Sequence, residues 1–106
     1  MPTLDLTLTA IADPTRRQIL HALSEGESRV THIAEPFAMS LNAVSKHILV
    51  LERAGLVKRR KQGREHFLTL VIQPLEEAEN WIAEQRALWT WRLDRLDEAL
   101  SKGEDQ

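Results

Sequence analysis

The side chains of this sequence with the most evident functional potential are basic and polar, and they lie in the middle of the chain. Residues 29–64 hold eight Lys or Arg and two acidic side chains, whereas residues 65–106 hold four basic and ten acidic ones. The net charge of the whole chain, −2 at pH 7, hides this separation. A basic segment between acidic flanks is typical of a surface that neutralises nucleic-acid phosphates. DNA binding is therefore the first chemistry to consider.

Two sets of side chains in this segment could divide the work of reading a duplex. One set lies opposite an apolar helical stripe and could reach base edges: Asn42, Ser45 and Lys46. The other set surrounds a glycine turn and could hold phosphates: Arg59, Arg60, Lys61 and Arg64. Polar positions on an isolated helix are more often simply solvated. The adjoining basic hairpin is what favours DNA contact here.

Side chains that could support catalysis or bind a metal are scattered or missing. The chain has no Cys and no Tyr, and its four His, at positions 21, 32, 47 and 66, fall on four different predicted elements. No two of them are four residues apart, and residues 67–106 contain none. We therefore expect no metal, no cofactor and no enzyme activity. A composite His site and a small hydrolase are kept as alternatives.

The elements that must position these residues are mostly helical. Helices are predicted over about residues 4–11, 14–25, 30–34 and 40–54, although the first of these also alternates like a strand. Asp13 and Ser40 are good N-caps, and Gly26 and Gly55 are good helix stops. Two strand-like runs, 56–61 and 64–71, meet at a Gly turn and predict a β-hairpin. A helix-turn-helix followed by a basic hairpin predicts a mainly α winged helix-turn-helix domain.

A long helix is predicted over about residues 74–100. Apolar residues recur along it at helical spacing, and Trp81, Leu88 and Trp91 widen the stripe beyond what one small core can cover. A second face this apolar usually has a partner, so we predict dimerisation through this helix and the first one. The predicted interface residues are Leu4, Leu8, Trp81, Ile82, Leu88, Trp89, Leu93 and Leu96. The alternative is that the tryptophans line an effector-binding pocket at the dimer interface.

Four stretches resemble the arsenic-repressor (ArsR/SmtB) family of bacterial transcriptional regulators. They are ADPTRRQIL at 12–20, MSLNAVSKHI at 39–48, LERAGLV at 51–57 and QGR at 62–64. The resemblance spans about residues 4–100. It implies a homodimeric repressor that binds an inverted repeat in double-stranded DNA, with recognition helices in successive major grooves. By the same match, His47 becomes a further and weaker candidate for base readout.

The resemblance also bears on the signal to which the protein responds. Thiol-sensing relatives carry a Cys-x-Cys pair where this chain has Arg29 and Thr31, and zinc-sensing relatives use carboxylate and His ligands in C-terminal helices, where this chain has no His. This implies a subgroup without the usual metal sites, and the sequence specifies no effector. Leu41 stands where many members carry Gln, so one polar base contact could be replaced by contact with a thymine methyl.

Length and composition set the remaining expectations. A chain of 106 residues suits one domain, here with a core over about 12–71 and dimerisation helices over about 4–11 and 74–100. Because no stretch has the length of a membrane span or the layout of an export signal, we expect a cytoplasmic protein without a membrane partner. The alternative function is a winged-helix domain that binds another protein, which salt-insensitive or absent DNA binding would favour.

Overall fold

Five helices and three short strands make up residues 2–104, the part of the chain that the computed structural model describes. The helices are α1 (Pro2–Ile11), α2 (Pro14–Leu23), α3 (Val30–Ala34), α4 (Leu41–Arg53) and α5 (Gln73–Glu104). The strands are β1 (Ser28–Arg29), β2 (Val57–Gln62) and β3 (Glu65–Leu70). The predicted winged helix-turn-helix architecture is confirmed, with α3 and α4 as the helix-turn-helix and the β2–β3 hairpin as the wing.

Local side-chain and backbone bonds explain where α2 and α4 begin and end. The Asp13 carboxylate accepts a hydrogen bond from the Arg16 backbone N–H at 3.0 Å, and Ser40 Oγ accepts one from the Ala43 N–H at 3.1 Å. Each cap satisfies an amide that the first helical turn leaves open. At the other end of α4, Gly55 adopts φ +75°, and the next residue, Leu56, donates its N–H to the Leu51 carbonyl at 3.0 Å. This glycine-dependent closure turns the chain from α4 into the wing.

The sheet has one strand more than the predicted hairpin. Ser28 and Arg29 pair antiparallel with Leu68 and Phe67, which makes β3 the central strand of the order β1-β3-β2. A two-residue strand shows no alternation that a sequence could reveal. β1 fastens the root of the wing to the segment between α2 and α3.

The turn of the wing lies one residue later than predicted. Gln62 still pairs with Glu65, so Gly63 and Arg64 form a two-residue connection, and Gly63 takes φ +62°. A positive φ at this point suits the tight turns that match strand twist. The shift places Arg64 at the very tip of the wing.

The core lies between α2, α3, α4 and the inner face of the wing. The stripe predicted on α4, Val44, Ile48 and Leu51, is fully buried there. Residues from the other elements complete the core: Ile19, Leu20, Leu23, Val30, Ile33, Leu56, Val57 and Leu68. This packing fixes which side of α4 can face outward.

α5 leaves the protein body soon after it begins. Ala78 is buried, but every large apolar residue of α5 from Trp81 onward is exposed, Trp89 to 60%. The helix has 32 residues, or about 48 Å at 1.5 Å per residue, and the longest dimension of the chain is 76 Å. None of the helices within residues 2–104 combines the length and apolar composition needed to cross a membrane.

Candidate nucleic-acid interface

The side of α4 that faces away from the core carries one amide, two cations and one exposed leucine, Leu49. Asn42 and Lys46 are exposed on this strip, as predicted from the apolar stripe opposite them. Arg53 is also exposed and lies two helical turns after Lys46, so it shares the same strip. Sequence reasoning missed Arg53, although its seven-residue spacing from Lys46 was available as a signal. We call Asn42, Lys46 and Arg53 the outer strip.

Ser45 and His47 flank the outer strip on opposite sides. Ser45 is half-buried and, with Leu41, lines a cleft between α4 and the wing. The side chain of His47 is only 24% exposed, and its Nδ1 lies 3.2 Å from Arg16 Nη1 and 3.8 Å from Asp13 Oδ2. Ser45 lies about 60° around the helix from Asn42, on the side of the strip toward the wing, whereas His47 lies about 100° beyond Lys46 on the other side. The placement of His47 does not support base readout.

Arg16 joins three elements at this corner. Its Nε donates to the Ala10 carbonyl at 2.7 Å and its Nη2 donates to the Thr9 carbonyl at 3.0 Å. Carbonyls in the last turn of a helix have no partner within the helix, so the guanidinium caps α1 from outside. The same group contacts His47 of α4. One side chain of α2 thus holds the end of α1 against α4.

Glutamate side chains neutralise two of the four residues that we predicted as phosphate ligands, Arg59 and Arg60. Arg59 Nη2 lies 2.6 Å from Glu52 Oε1, which links β2 to the end of α4. Arg60 donates to both Glu27 carboxylate oxygens, at 2.7 and 3.1 Å, and lies 4.5 Å from the ring centroid of Phe67. The hydrogen bonds between Glu27 and Arg60 lower the pKa of the carboxyl group and raise that of the guanidinium. The positive charge available to DNA is smaller here than composition alone indicates.

The tip of the wing keeps its charge. Lys61 and Arg64 are exposed, and neither forms a salt bridge within residues 2–104. Lys61 pairs with His66 across the hairpin and, by strand alternation, lies on the same face as Arg59, which is the face turned toward α4. Lys61 therefore lies on the face of the hairpin turned toward α4, and Arg64 lies in the turn at the tip of the hairpin.

Potential metal ligands do not cluster in the described part of the chain. No group of three or more His, Asp or Glu side chains is placed to hold a metal ion there. At the position of the thiol pair of the metal-sensing relatives, Arg29 forms a salt bridge with Glu65 at 3.1 Å. That position is occupied by a structural ion pair.

The predicted dimer-interface residues divide between two environments. Those on α5 are all exposed: Trp81, Ile82, Leu88, Trp89, Leu93 and Leu96. On α1, Leu8 is half-buried, but Leu4 is only 8% exposed within the single chain, so it offers little surface to a partner. The exposed leucine of α1 is instead Leu6, at 49%. It was missed because the apolar spacing 4-8-11 selects the face of α1 that the chain itself covers.

Comparison with known proteins gives the family. A family model described as a helix-turn-helix domain matches residues 11–60. The chain is 34% identical over 73 residues to the transcriptional repressor SdpR of Bacillus subtilis, an alignment that covers 69% of this chain and 81% of that protein.

Solved structures agree with this match. A crystal structure of an ArsR family transcriptional regulator superposes with a TM-score of 0.79 at 41% identity, covering 83% of this chain and 97% of the other. The solution structure of the homodimeric winged helix-turn-helix DNA-binding domain of Mb0332 from Mycobacterium bovis, a possible ArsR-family regulator, has a TM-score of 0.62 at 26% identity, covering 89% and 84%. The chain therefore belongs to the ArsR family of winged helix-turn-helix transcriptional regulators, a family of DNA-binding proteins rather than of enzymes.

Proposed function

We propose that this protein is a homodimeric repressor that binds an inverted repeat in double-stranded DNA and whose DNA affinity does not respond to metal ions. The proposal rests on the exposed outer strip of α4 and on the exposed wing cations Lys61 and Arg64, which have no salt-bridge partner within the described residues. Two comparisons support it, since SdpR is a transcriptional repressor and the Mb0332 domain is homodimeric. The cytoplasm is the compartment in which such a protein would meet its operator.

The outer strip is the part that would enter the major groove. A helix fits that groove, and residues near its N-terminus reach the base edges. Asn42 lies in the first turn of α4, where its amide can pair with an adenine edge, and Lys46 stands one turn further along. Leu41, exposed at the N-terminus of α4, is available for contact with a thymine methyl.

The wing tip would hold the backbone beside the groove. Lys61 and Arg64 project from the turn without carboxylate partners in the described chain, so their charge is available to phosphates. Arg59 and Arg60 would contribute less, because Glu52 and Glu27 already bind them. The sequence-based set of four phosphate ligands thus reduces to two principal ones.

A second copy of the chain would cover α5. Reading an inverted repeat requires two recognition helices about 34–36 Å apart, and a two-fold axis supplies this geometry. The apolar stripe of α5 continues for several turns beyond Ala78 without cover from its own chain. The exposed α5 residues named above, with Leu6 and Leu8 of α1, form the proposed interface.

Selection of bound duplexes from a random DNA pool tests this function directly. We expect enrichment of an inverted repeat whose half-sites are separated by about one helical turn, and a binding constant that falls steeply with salt concentration. Enrichment of a single unrepeated motif would contradict the dimer, and binding to no duplex would contradict DNA recognition itself.

A further inference from the structure

His47 is a titratable side chain of α4 that lies outside the outer strip and contacts α2 instead. Its side chain is 24% exposed. The Nδ1 atom of the ring lies 3.2 Å from Nη1 of Arg16 and 3.8 Å from Oδ2 of Asp13. One nitrogen atom of α4 therefore has both a cation and an anion beside it.

The hydrogen bond with Arg16 determines the protonation state of this nitrogen. A guanidinium carries only N–H donors, so Nδ1 of His47 must accept, and a nitrogen that accepts carries no proton. The ring is then neutral, with its proton on Nε2. The Asp13 carboxylate, at 3.8 Å, is beyond hydrogen-bond distance. In this arrangement neutral His47 has Arg16 as its partner.

A proton on Nδ1 would reverse the two relations. The nitrogen could no longer accept from Arg16, and two cationic groups only 3.2 Å apart repel each other. The carboxylate of Asp13 would become the attractive neighbour. Its pKa lies below the ordinary value because it accepts the Arg16 backbone N–H, so it is charged throughout the range of about pH 5 to 8 in which histidines gain a proton.

The other charged groups on the elements packed against α4 are bound elsewhere or exposed within the described residues. Those with partners are Arg17, His32, Arg59 and Arg60, which contact the Ile11 carbonyl, Glu35, Glu52 and Glu27 in that order. The exposed ones are Asp5, His21, Lys46, Arg53, Lys58 and Lys61. The competition for His47 is thus between Arg16 and Asp13.

Arg16 connects this proton to both proposed interfaces. Its Nε and Nη2 bind the Ala10 and Thr9 carbonyls in the last turn of α1, while its Nη1 contacts His47. The two bonds to α1 do not depend on the charge of His47. The contact that protonation would break is therefore the one that ties α4, the proposed reading helix, to α1, which is part of the proposed dimer interface.

We propose that His47 positions α4 through a proton-dependent choice of partner. Neutral His47 accepts from Arg16 and holds α4 against α1, whereas protonated His47 releases Arg16 and pairs with Asp13. The inference rests on the proposed DNA-binding function and adds a response to acid: operator affinity falls as His47 gains its proton. This direction is opposite to the general effect of acid, which makes a protein more positive and strengthens its attraction to phosphates.

Nitrogen NMR of the full chain without DNA tests the arrangement itself. Long-range proton–nitrogen spectra of His47, assigned by their loss in His47→Asn, should show an unprotonated Nδ1 and a protonated Nε2 at about pH 8, and two protonated nitrogens at about pH 5. A ring that carries its proton on Nδ1 at about pH 8, or one that stays neutral at about pH 5, would overturn the proposal.

Fluorescence anisotropy with the selected operator tests the consequence for DNA binding. We expect the wild-type affinity to fall about 10-fold between about pH 8 and pH 5, as for loss of a hydrogen bond to a charged group. His47→Asn keeps an oxygen that can accept from Arg16 but takes up no proton, so it should stay within about twofold of the wild-type affinity at about pH 8 and show no fall in acid. His47→Leu lacks the acceptor, so its affinity should be about 10-fold lower already at about pH 8.

His21→Asn is the matched control. His21 is an exposed histidine of α2 that lines a different cleft, beside Glu25 and Gly26, so this variant should show the wild-type fall. Circular dichroism at each pH establishes that the chains are folded, and His47→Asn carries the test if His47→Leu folds poorly.

A fall in His47→Asn as large as that of the wild type would show that another group titrates, and a wild-type affinity that does not fall would remove the response to acid; either result refutes the proposal. If the wild-type chain binds no duplex at any pH, the proposed function fails. The NMR spectra then still decide whether His47 is the neutral acceptor that gains a proton in acid.

Discussion

The molecule leaves two surfaces without partners, and they differ in chemistry. On α4 and the wing, the exposed groups are an amide and cations, Asn42, Lys46, Arg53, Lys61 and Arg64, with two leucines, Leu41 and Leu49, beside them. Along α5 beyond Ala78, the uncovered groups are large apolar side chains, while charged residues of both signs cover the other faces. The first surface suits a polyanion and the second suits a copy of itself. In the proposed dimer, DNA recognition and self-association would therefore use different elements of one short chain.

The largest effect is expected when charge is placed in the apolar stripe of α5. Trp89→Asp combined with Leu93→Asp would bury two carboxylates in the dimer interface, so we expect monomers in sedimentation at micromolar concentration. A monomer reads only half of the repeat, and operator affinity should fall toward the nonspecific level, about 10³-fold or more.

The control changes charge elsewhere on the same helix. Asp94 and Asp97 are exposed and lie on the side of α5 opposite the stripe, so Asp94→Lys with Asp97→Lys should leave both the dimer and operator affinity in place. A double Asp variant that still dimerises and binds the operator tightly would remove α5 from the interface.

Variants of Asn42 and Arg64 should lose DNA affinity in different ways. Asn42→Ala should cost about 1–3 kcal/mol on the selected operator and little on scrambled DNA, because it removes a contact with a base. Arg64→Ala should weaken both duplexes alike and lower the salt slope by about one, because it removes a contact with a phosphate. Binding isotherms at several salt concentrations check both, and similar losses of sequence preference would show that the roles are wrongly divided.

A smaller effect, on the stability of the fold, is expected at Asp13, the N-cap of α2. The Arg16 backbone bond, with help from His47 and the Arg16 charge, holds the pKa of Asp13 below its ordinary value of 3.8. A lowered carboxyl pKa stabilises the fold above that value, and this contribution is lost as pH falls through the pKa of the folded state. Asp13→Asn keeps a capping oxygen but cannot titrate, so its unfolding free energy should depend less on pH below about pH 4. Urea titrations from pH 3 to pH 6 compare the two chains.

No effect at all is expected from metal ions. Arg29 is tied to Glu65, and the described residues contain no cluster of three metal-ligating groups, so zinc, cadmium and arsenite should leave operator affinity unchanged. Release of DNA that a chelator reverses would contradict this and would direct attention to the four His.

Local signals in the sequence account for most of the fold. Capping residues, the stripe on α4 and the glycine turn predict the helices and the wing, because each acts over one or two turns of chain. The two-residue strand β1 leaves no periodic signal, and its pairing with Leu68 and Phe67 depends on the assembled wing. The same holds for the burial of Leu4, which depends on α5 lying across α1.

The site was harder to predict because its charges interact over long distances along the chain. Arg60 and Glu27 are 33 residues apart in sequence, yet they form a two-bonded ion pair that removes Arg60 from the free cations. His47 differs from its neighbour Lys46 only by one step around the helix, and that step turns it toward Arg16. Composition identified the basic region, but only the packed structure separates the available charges from the neutralised ones.

The Arg16 contact has a consequence for the operator. In the proposed dimer, α1 is part of the dimer interface and α4 enters the major groove of the DNA. Arg16 holds these two helices together, because it binds the Thr9 and Ala10 carbonyls of α1 and contacts His47 of α4. The distance between the two copies of α4 would then depend on this Arg16 contact as well as on the dimer interface. Half-site spacing would then depend in part on the Arg16 guanidinium, and Arg16→Lys, which can bind fewer of these groups at once, should select operators with a broader range of spacer lengths.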